Sequence, residues 1–149
     1  MEAMEVQTIN FNVESTTKSG SQSEVQVRQF KVLIDEPSQL GGTDEAPNPV
    51  EYLLCGLSGC MHIMAFKVAQ ELNMELSDLN IKITGELNPM KLFGMPTDDR
   101  AGYQGITIEL HPVTSAIPET LEQWKTIMAQ RSPVLDNLIN KTPIEVKIG

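Results

Sequence analysis

Apolar and polar residues alternate along two segments near the N-terminus, residues 5–13 and 24–35. Alternation with a period of two is typical of strands that bury one face. A polar stretch at residues 15–23 separates the two segments and indicates a hairpin loop. We therefore expect two paired strands whose inward positions are Val6, Ile9, Phe11, Val13, Val25, Val27, Phe30, Val32 and Ile34.

A different periodicity begins at Asn48-Pro49, an N-cap residue followed by proline at the first helical position. Apolar residues recur at helical spacing from there to about Asn73, and no proline interrupts them. This pattern predicts one long helix. Its first half is apolar on nearly every side, which indicates burial on most sides.

Two further strands are predicted at residues 80–88 and 103–112, and a helix from Pro118 to about Gln130. A short second helix should begin at Ser132-Pro133, and a last strand should cover residues 143–149. The order is then β-β-α-β-β-α-α-β. Paired strands and paired helices favour an α+β fold, and the 149 residues fit a single domain, 1–149.

The charge balance narrows the range of partners. Against 11 lysines and arginines the chain carries 20 acidic residues, a net charge of −9, so nucleic acid and anionic membrane surfaces are not expected partners. No secretory pattern opens the chain, and two cysteines are too few for a disulfide scaffold. We expect a cytoplasmic protein.

Both cysteines lie in the long helix, with a histidine two residues after the second. Five residues separate Cys55 from Cys60, which on a helix means about 7.5 Å of rise and about 140° of rotation. A disulfide between them is excluded, because it needs α-carbons closer than about 7 Å and converging side chains. His62 lies about 160° around the helix from Cys60. No metal site or cofactor is expected from these residues.

Cys60 leaves two interpretations open. Free cysteine is often a small buried hydrophobe, which is the simplest reading of Cys55 as well. Alternatively, backbone from another element or a ligand approaches the Cys60 sulfur, because Gly56, one helical turn earlier, leaves room there. His62 reads as a polar residue at the edge of the helix, and His111 as an ordinary strand residue.

Three stretches together resemble the OsmC/Ohr family of small thiol proteins over roughly residues 30–149. They are LGGTDEAPNPVEYLLCGLSGC at residues 40–60, the two strands after the helix, and RSPVLDNLINKTPIEVKIG at residues 131–149. The shared features are the glycine-rich approach loop, the Pro-Val-Glu helix start, a cysteine eleven residues after that proline, and a late Pro-Val before a short helix. The resemblance implies organic hydroperoxide reduction, in which one cysteine attacks the peroxide and a second resolves the sulfenic acid.

The resemblance places Cys60 at the attacking position and Ser132 at the resolving position. A hydroxyl cannot form a disulfide, so an intramolecular two-cysteine cycle is excluded. Ser132 is then either a plain N-cap or a donor that, with the first-turn N–H groups of its helix, stabilises the thiolate. The family's orienting acid would follow the helix-starting proline directly, where this chain has Val50, with Glu51 one place later.

The basic residue that the resemblance implies near the cysteine has no clear motif, and Arg28 is the first candidate, with Lys31 or Lys18 after it. Glu51 is otherwise an acid that complements the helix dipole. The resemblance also implies an interwoven homodimer in which the long helices pack centrally and each pocket is built from both chains.

Two functions follow from different classes. The first is reduction of small lipophilic hydroperoxides through Cys60, with an external thiol resolving the sulfenic acid. The second is a non-catalytic protein that binds a lipophilic ligand at the dimer interface. Leu92, Phe93 and Met95, together with Met61 and Met64, suggest a pocket for a lipophilic chain. Equally, the loop that carries the first three closes the core or the dimer seam.

Overall fold

The computed structural model describes residues 7–149, and the chain forms two compact units, one up to Tyr52 and one from Leu53 to Gly149. The first unit contains an antiparallel sheet of three strands, β1 (Glu14–Thr17), β2 (Ser23–Val27) and β3 (Phe30–Ile34), which pair in chain order. A short 3-10 turn, Ser38–Leu40, follows them. A turn inside the predicted polar stretch 15–23 does join two paired strands, with Thr17 opposite Ser23, but residues 15–17 of that stretch belong to β1 itself.

The boundaries of these strands differ from the prediction. Residues 7–13 form no strand in the described chain, and part of the predicted segment, residues 5 and 6, lies outside the described residues. The apolar side chains of this stretch are exposed, Phe11 at 89%, because none of the strands that the structure describes covers them. The predicted strand 24–35 is interrupted at a two-residue turn, where Arg28 has φ +51° and Val27 pairs with Phe30.

A single buried carboxylate, Asp35, fastens the loop that follows β3. It is fully buried, and Asp35 N–H donates to the Pro47 carbonyl at 3.2 Å. Hydrogen bonds hold the pKa of Asp35 far below its usual range, first of all the bond from Thr43 Oγ1 at 2.6 Å, while burial acts in the opposite direction. The carboxylate's other donors are Ser21 Oγ, Gln22 Nε2 and the backbone N–H groups of Glu36, Thr43 and Glu45.

The same loop requires a glycine at position 42. A Cβ added to Gly42 would collide with the backbone of Glu36, including its carbonyl oxygen. Because the clash is with backbone rather than with a flexible side chain, any other residue would force the loop open.

The long helix α1 (Pro49–Glu71) begins with a reciprocal capping box. Asn48 Oδ1 accepts the N–H of Glu51 at 2.8 Å, and Glu51 Oε1 accepts the N–H of Asn48 at 3.0 Å. In the first turn, Tyr52 donates its hydroxyl to the Leu33 carbonyl at 2.7 Å, which ties the helix start to β3.

The second unit packs α1 with two long antiparallel strands and two helices. The strands are β4 (Asp78–Leu87) and β5 (Tyr103–Val113), and the helices are α2 (Pro118–Arg131) and α3 (Pro133–Ile139). Trp124 of α2 is 2% exposed and donates its indole N–H to the Ala65 carbonyl at 2.8 Å. The buried core consists of Leu57, Met61, Ala65, Val68, Ala69, Met74, Leu79, Trp124 and Met128.

The fold class is α+β, as predicted, and the central elements lie within a few residues of their predicted bounds. The predicted last strand is wrong for this chain, because residues 143–149 form no ladder. Their alternating side chains Ile144, Val146 and Ile148 are 84%, 90% and 102% exposed, since none of the described strands lies beside them. The alternation of apolar and polar residues shows that this segment can form a strand, but it does not show that a partner strand is present.

Helix α1 is also less covered than its sequence predicted. Its buried residues lie on one face, while Leu53, Ile63 and Phe66 are 41%, 65% and 37% exposed. Among the described residues, α1 is the one helix long and apolar enough to cross a membrane by length and composition. A core helix of an α+β protein has the same composition, and the buried face of α1 forms the core of the second unit.

Candidate functional site

The central contact of the candidate site joins the middle of α1 to the junction of α2 and α3. Ser132 Oγ donates to Cys60 Sγ at 3.0 Å, although the two residues are far apart in sequence. Ser132 is 1% exposed, whereas Cys60 is partly buried. The sulfur therefore faces a fixed polar hydrogen rather than hydrocarbon alone, which separates Cys60 from an ordinary core cysteine.

The local sequence explains why Ser132 lies there. Ser132 ends α2 and caps α3, because Pro133 cannot continue the preceding helix but suits the first position of the next one. Its N–H donates to the Met128 carbonyl at 3.1 Å, and its Oγ accepts the N–H of Leu135 at 3.2 Å. The hydroxyl oxygen is thus occupied by an N–H group, which leaves its hydrogen for the sulfur.

The two roles considered for Ser132 are therefore compatible: it is both an N-cap and a donor to the thiol. The N–H of Leu135 bonds to Ser132 Oγ instead of the sulfur, and the N–H of Asp136 bonds to the Ser132 carbonyl. These two N–H groups are therefore not available to the sulfur, and a contribution of first-turn N–H groups to the thiolate stays a prediction. Their hydrogen bonds are used to cap α3.

An ion pair next to Ser132 was missed in the sequence. Arg131 forms two contacts with Glu71, Nη1 to Oε2 at 2.5 Å and Nη2 to Oε1 at 3.2 Å. The hydrogen bond with Arg131 lowers the pKa of the Glu71 carboxyl, and the same bond raises the pKa of Arg131. This pair and the Trp124 hydrogen bond anchor α2 on α1. The signal in the sequence that could have indicated this ion pair is Arg131 itself, a basic residue in the last turn of α2.

The surroundings of Cys60 are asymmetric. Leu57, three residues earlier, is fully buried, while Gly56, four residues earlier, is exposed with nothing within 4 Å of where a Cβ would stand. Cys55 is exposed and free, so its interpretation as a buried hydrophobe is wrong.

Arg28 and Glu51 belong to the unit that ends at Tyr52. Arg28 occupies the turn between β2 and β3, with its guanidinium carbon 5.1 Å from the centre of the Phe30 ring. Glu51 closes the capping box of α1. Of the predicted site residues the structure brings Cys60 and Ser132 into contact, and the roles predicted for Arg28 and Glu51 stay predictions.

The other basic candidates are paired locally. Lys18 and Lys31 each lie 3.5 Å from a carboxylate oxygen of Glu24. Both ammonium groups therefore belong to the charge pattern of the first sheet. Of the two histidines, His62 is exposed and its ring lies 5.0 Å from that of Phe66.

The residues predicted to line a lipophilic pocket differ widely in burial. Met61 is 3% exposed and belongs to the core of the second unit, so it does not line a pocket there. Leu92, Phe93 and Met95 are 62%, 52% and 52% exposed in the loop between β4 and β5. A groove of about 490 Å³ lies elsewhere in this unit, lined by Leu72, Asn73, Met74, Glu75, Ser115, Ala116, Ile117 and Thr120.

Within residues 7–149, no three His, Cys, Asp or Glu side chains are grouped as a metal ion would require. A thiol hydrogen-bonded to a buried hydroxyl at the junction of two helices defines a small α+β thiol protein. Residues 42–147 match the family model described as OsmC-like protein, so the chain belongs to the OsmC-like family.

Solved structures agree with this assignment at the level of the fold. An OsmC-like protein from Mycoplasma pneumoniae shares 18% identity, with a TM-score of 0.78 and 91% of each chain covered. An organic hydroperoxide resistance protein from Legionella pneumophila shares 17% identity, with a TM-score of 0.65 and 91% of this chain and 93% of that chain covered.

A third similar structure is an organic hydroperoxide resistance protein from Elizabethkingia anophelis, solved with thiocyanate bound. It shares 16% identity, with a TM-score of 0.66 and 91% of each chain covered. No curated protein sequence matches the chain significantly.

Proposed function

We propose that this protein is a stress-type thiol peroxidase that reduces organic hydroperoxides through Cys60 without a resolving cysteine. The observation that carries the proposal is the 3.0 Å contact from the Ser132 hydroxyl to the Cys60 sulfur. Only a thiolate attacks a peroxide, and a hydrogen-bond donor stabilises sulfur anion more than neutral thiol. The hydroperoxide resistance proteins among the similar folds support the same reaction class.

The proposed reaction has three steps. The Cys60 thiolate attacks the terminal oxygen of R–O–OH, an S–O bond forms, the O–O bond breaks, and the alkoxide leaves as R–OH after taking a proton. An external thiol R′–SH then attacks the sulfenic acid, which gives a mixed disulfide and water. A second R′–SH releases Cys60 as the thiol and carries away R′–S–S–R′.

Ser132 supports the first step as a donor. Its hydroxyl hydrogen faces the sulfur, and its oxygen is held by the N–H of Leu135, so the donor is fixed before the reaction begins. Arg28 is the proposed basic residue of the site, and Glu51 the proposed acid that orients it. A lipophilic hydroperoxide is the proposed substrate, and the cytoplasm the proposed compartment.

A homodimer is the proposed assembly, with strands exchanged between the two copies. The exposed alternating segment 143–149 and the exposed apolar face of α1 support it, since both present apolar surface that this chain leaves uncovered. Sedimentation velocity of the full chain should give twice the monomer mass. A monomer at micromolar concentration would contradict the assembly.

The second candidate is a non-catalytic protein that holds a lipophilic ligand. Ser132 at the resolving position favours it, because the chain has no thiol that can close a disulfide with Cys60. Extracted ligand in mass spectra of purified protein, unchanged in amount in a Cys60→Ser variant, would support this candidate.

Turnover decides between the two. Purified protein is given tert-butyl hydroperoxide and a small dithiol, and peroxide consumption is measured. Wild type and Cys55→Ser should both consume peroxide, while Cys60→Ser should not. Equal background rates in all three proteins would reject the peroxidase.

A further inference from the structure

Two adjacent residues at the end of α2 both contact α1, and they do so at widely separated points. Ser132 donates its hydroxyl to Cys60 Sγ at 3.0 Å. Arg131 contacts both carboxylate oxygens of Glu71, at 2.5 Å and 3.2 Å. Glu71 follows Cys60 by eleven residues, which on a helix means about 16 Å of rise and a net rotation of about 20°. The two contacts therefore lie on one face of α1, about three turns apart.

The bond from Ser132 to the sulfur tolerates little movement of α2. Trp124 holds the middle of this helix through its bond to the Ala65 carbonyl, and it precedes Ser132 by eight residues, about 12 Å along the helix. A tilt of about 10° at Trp124 would displace Ser132 by about 2 Å. A shift of that size breaks a 3.0 Å hydrogen bond, so the anchor at Trp124 does not by itself fix the donor.

Arg131 supplies a second anchor, directly beside the donor. Its planar guanidinium faces both oxygens of the Glu71 carboxylate, which fixes direction as well as distance. The buried side chain of Met128 also holds this end of α2 in the core, but apolar contact is not directional. Exposed ion pairs add little to the stability of a fold, and these two side chains are 39% and 47% exposed. The effect of the pair is therefore expected on the placement of Ser132 rather than on unfolding.

We propose that this ion pair positions the Ser132 hydroxyl against the Cys60 sulfur. Glu71 and Arg131 are then positioning residues of the thiol site, and both act through Ser132, which is joined covalently to Arg131. The inference rests on Cys60 as the reacting thiol of the proposed function. Lys67, one turn before Glu71 on α1, also attracts the Glu71 carboxylate and is kept in every variant of the test.

A direct electrostatic effect on the sulfur predicts a different pattern. Removing the charge of Glu71 alone would leave an unpaired cation and favour the thiolate, whereas removing that of Arg131 would leave an anion and disfavour it. A positioning effect disfavours the thiolate in both cases, because either change releases Ser132. Direct effects should also be small, since Glu71 lies about 16 Å along α1 from Cys60 and the Debye length is about 8 Å at physiological salt.

The test measures the rate of Cys60 alkylation by iodoacetamide against pH, at physiological ionic strength and in a Cys55→Ser background. Ser132→Ala should raise the midpoint pH of the rate profile by about one unit, since it removes a hydrogen bond to the thiolate. Glu71→Gln and Arg131→Gln should each raise it by about half a unit, which is about a threefold loss of rate at neutral pH. Neither should raise the midpoint further when Ser132→Ala is already present.

Glu122 and Lys125 provide a matched control. Their ion pair, at 2.7 Å, also lies on α2, but both partners belong to that helix, so the pair does not join α2 to α1. Glu122→Gln and Lys125→Gln should leave the alkylation midpoint at the parent value. Thermal melting of every variant records any general loss of stability, which a positioning role does not require.

Shifts of opposite sign for Glu71→Gln and Arg131→Gln, no shift in either, or equal shifts in the control variants would overturn the inference. So would shifts that persist in full beside Ser132→Ala, or a parent Cys60 inert to iodoacetamide at every pH. Alkylation needs no peroxide. Failure of the proposed function would therefore appear separately, as absence of peroxide consumption by a parent protein whose alkylation follows the expected pattern.

Discussion

Replacing Ser132 with cysteine should restore a disulfide-forming pair. The oxygen at this position lies 3.0 Å from Cys60 Sγ, and a disulfide requires about 2.05 Å between sulfurs, so the atoms need to approach by only about 1 Å. Brief treatment of Ser132→Cys with an organic hydroperoxide should oxidise Cys60 to the sulfenic acid, which the new thiol then resolves.

The stability change has opposite signs in the two redox states. Reduced Ser132→Cys loses the cap of α3, which costs about 1 kcal/mol, and the bond to Cys60, which costs about another. A bridge to Cys60 closes a ring of roughly 70 residues and stabilises the fold by roughly 4 kcal/mol. At roughly 2–4 °C per kcal/mol, the reduced variant should melt several degrees below wild type and the oxidised variant several degrees above it.

The assay combines a thiol count, intact mass under non-reducing conditions, and thermal melting with and without reductant. The same substitution in a Cys60→Ser background is the control and should show no redox-dependent melting. The placement of Ser132 against Cys60 would be refuted if peroxide-treated Ser132→Cys kept all its thiols free, or if it melted at the same temperature as the untreated, reduced variant.

Three other changes test separate parts of the account. Asp35→Asn should lower the urea midpoint clearly at neutral pH, and an unchanged midpoint would reject the carboxylate's role in the loop. Wild type should lose stability as pH falls below about 3.9, since the pKa of Asp35 is lower in the folded chain than in the unfolded chain. Trp124→Phe should cost about 1–2 kcal/mol in denaturant unfolding by losing the bond to Ala65, and no measurable loss would contradict that contact. Arg28→Gly should stabilise the turn by about 1 kcal/mol, because glycine adopts the positive φ of this position without the cost that a side chain imposes, and yet reduce peroxide turnover. Arg28→Lys should retain part of the turnover; full turnover in Arg28→Gly would exclude the side chain from the site.

The elements that sequence predicted well are those with strong local signals. An N-cap residue followed by proline predicts a helix start, and α1 and α3 do begin at Asn48-Pro49 and Ser132-Pro133. The α+β class followed from the order of such elements. The contact between Cys60 and Ser132 came instead from the family resemblance, since no local pattern brings together two residues so far apart.

The predictions that failed have a common physical cause: each depends on another segment of the fold that lies beside the residues in question. The alternation in residues 143–149 describes a segment that can pair, but pairing needs a strand beside it, and residues 7–149 supply none there. The predicted burial of Cys55 and of most sides of α1 failed for the same reason. Apolar composition shows which side chains can be buried, but it does not show which neighbouring element buries them. The carboxylate network of Asp35 depends on a loop conformation that periodicity does not encode.

The most direct test of the account is the state of Cys60 after brief exposure of wild-type protein to an organic hydroperoxide. A sulfenic-acid probe is added, labelled peptides are located by mass spectrometry, and Cys60→Ser and Cys55→Ser proteins are treated in parallel. If Cys60 is the peroxidatic thiol, label should be confined to position 60 in wild type and in Cys55→Ser, and it should persist until an external thiol is added. Label on Cys55 alone, or on neither cysteine, would contradict it.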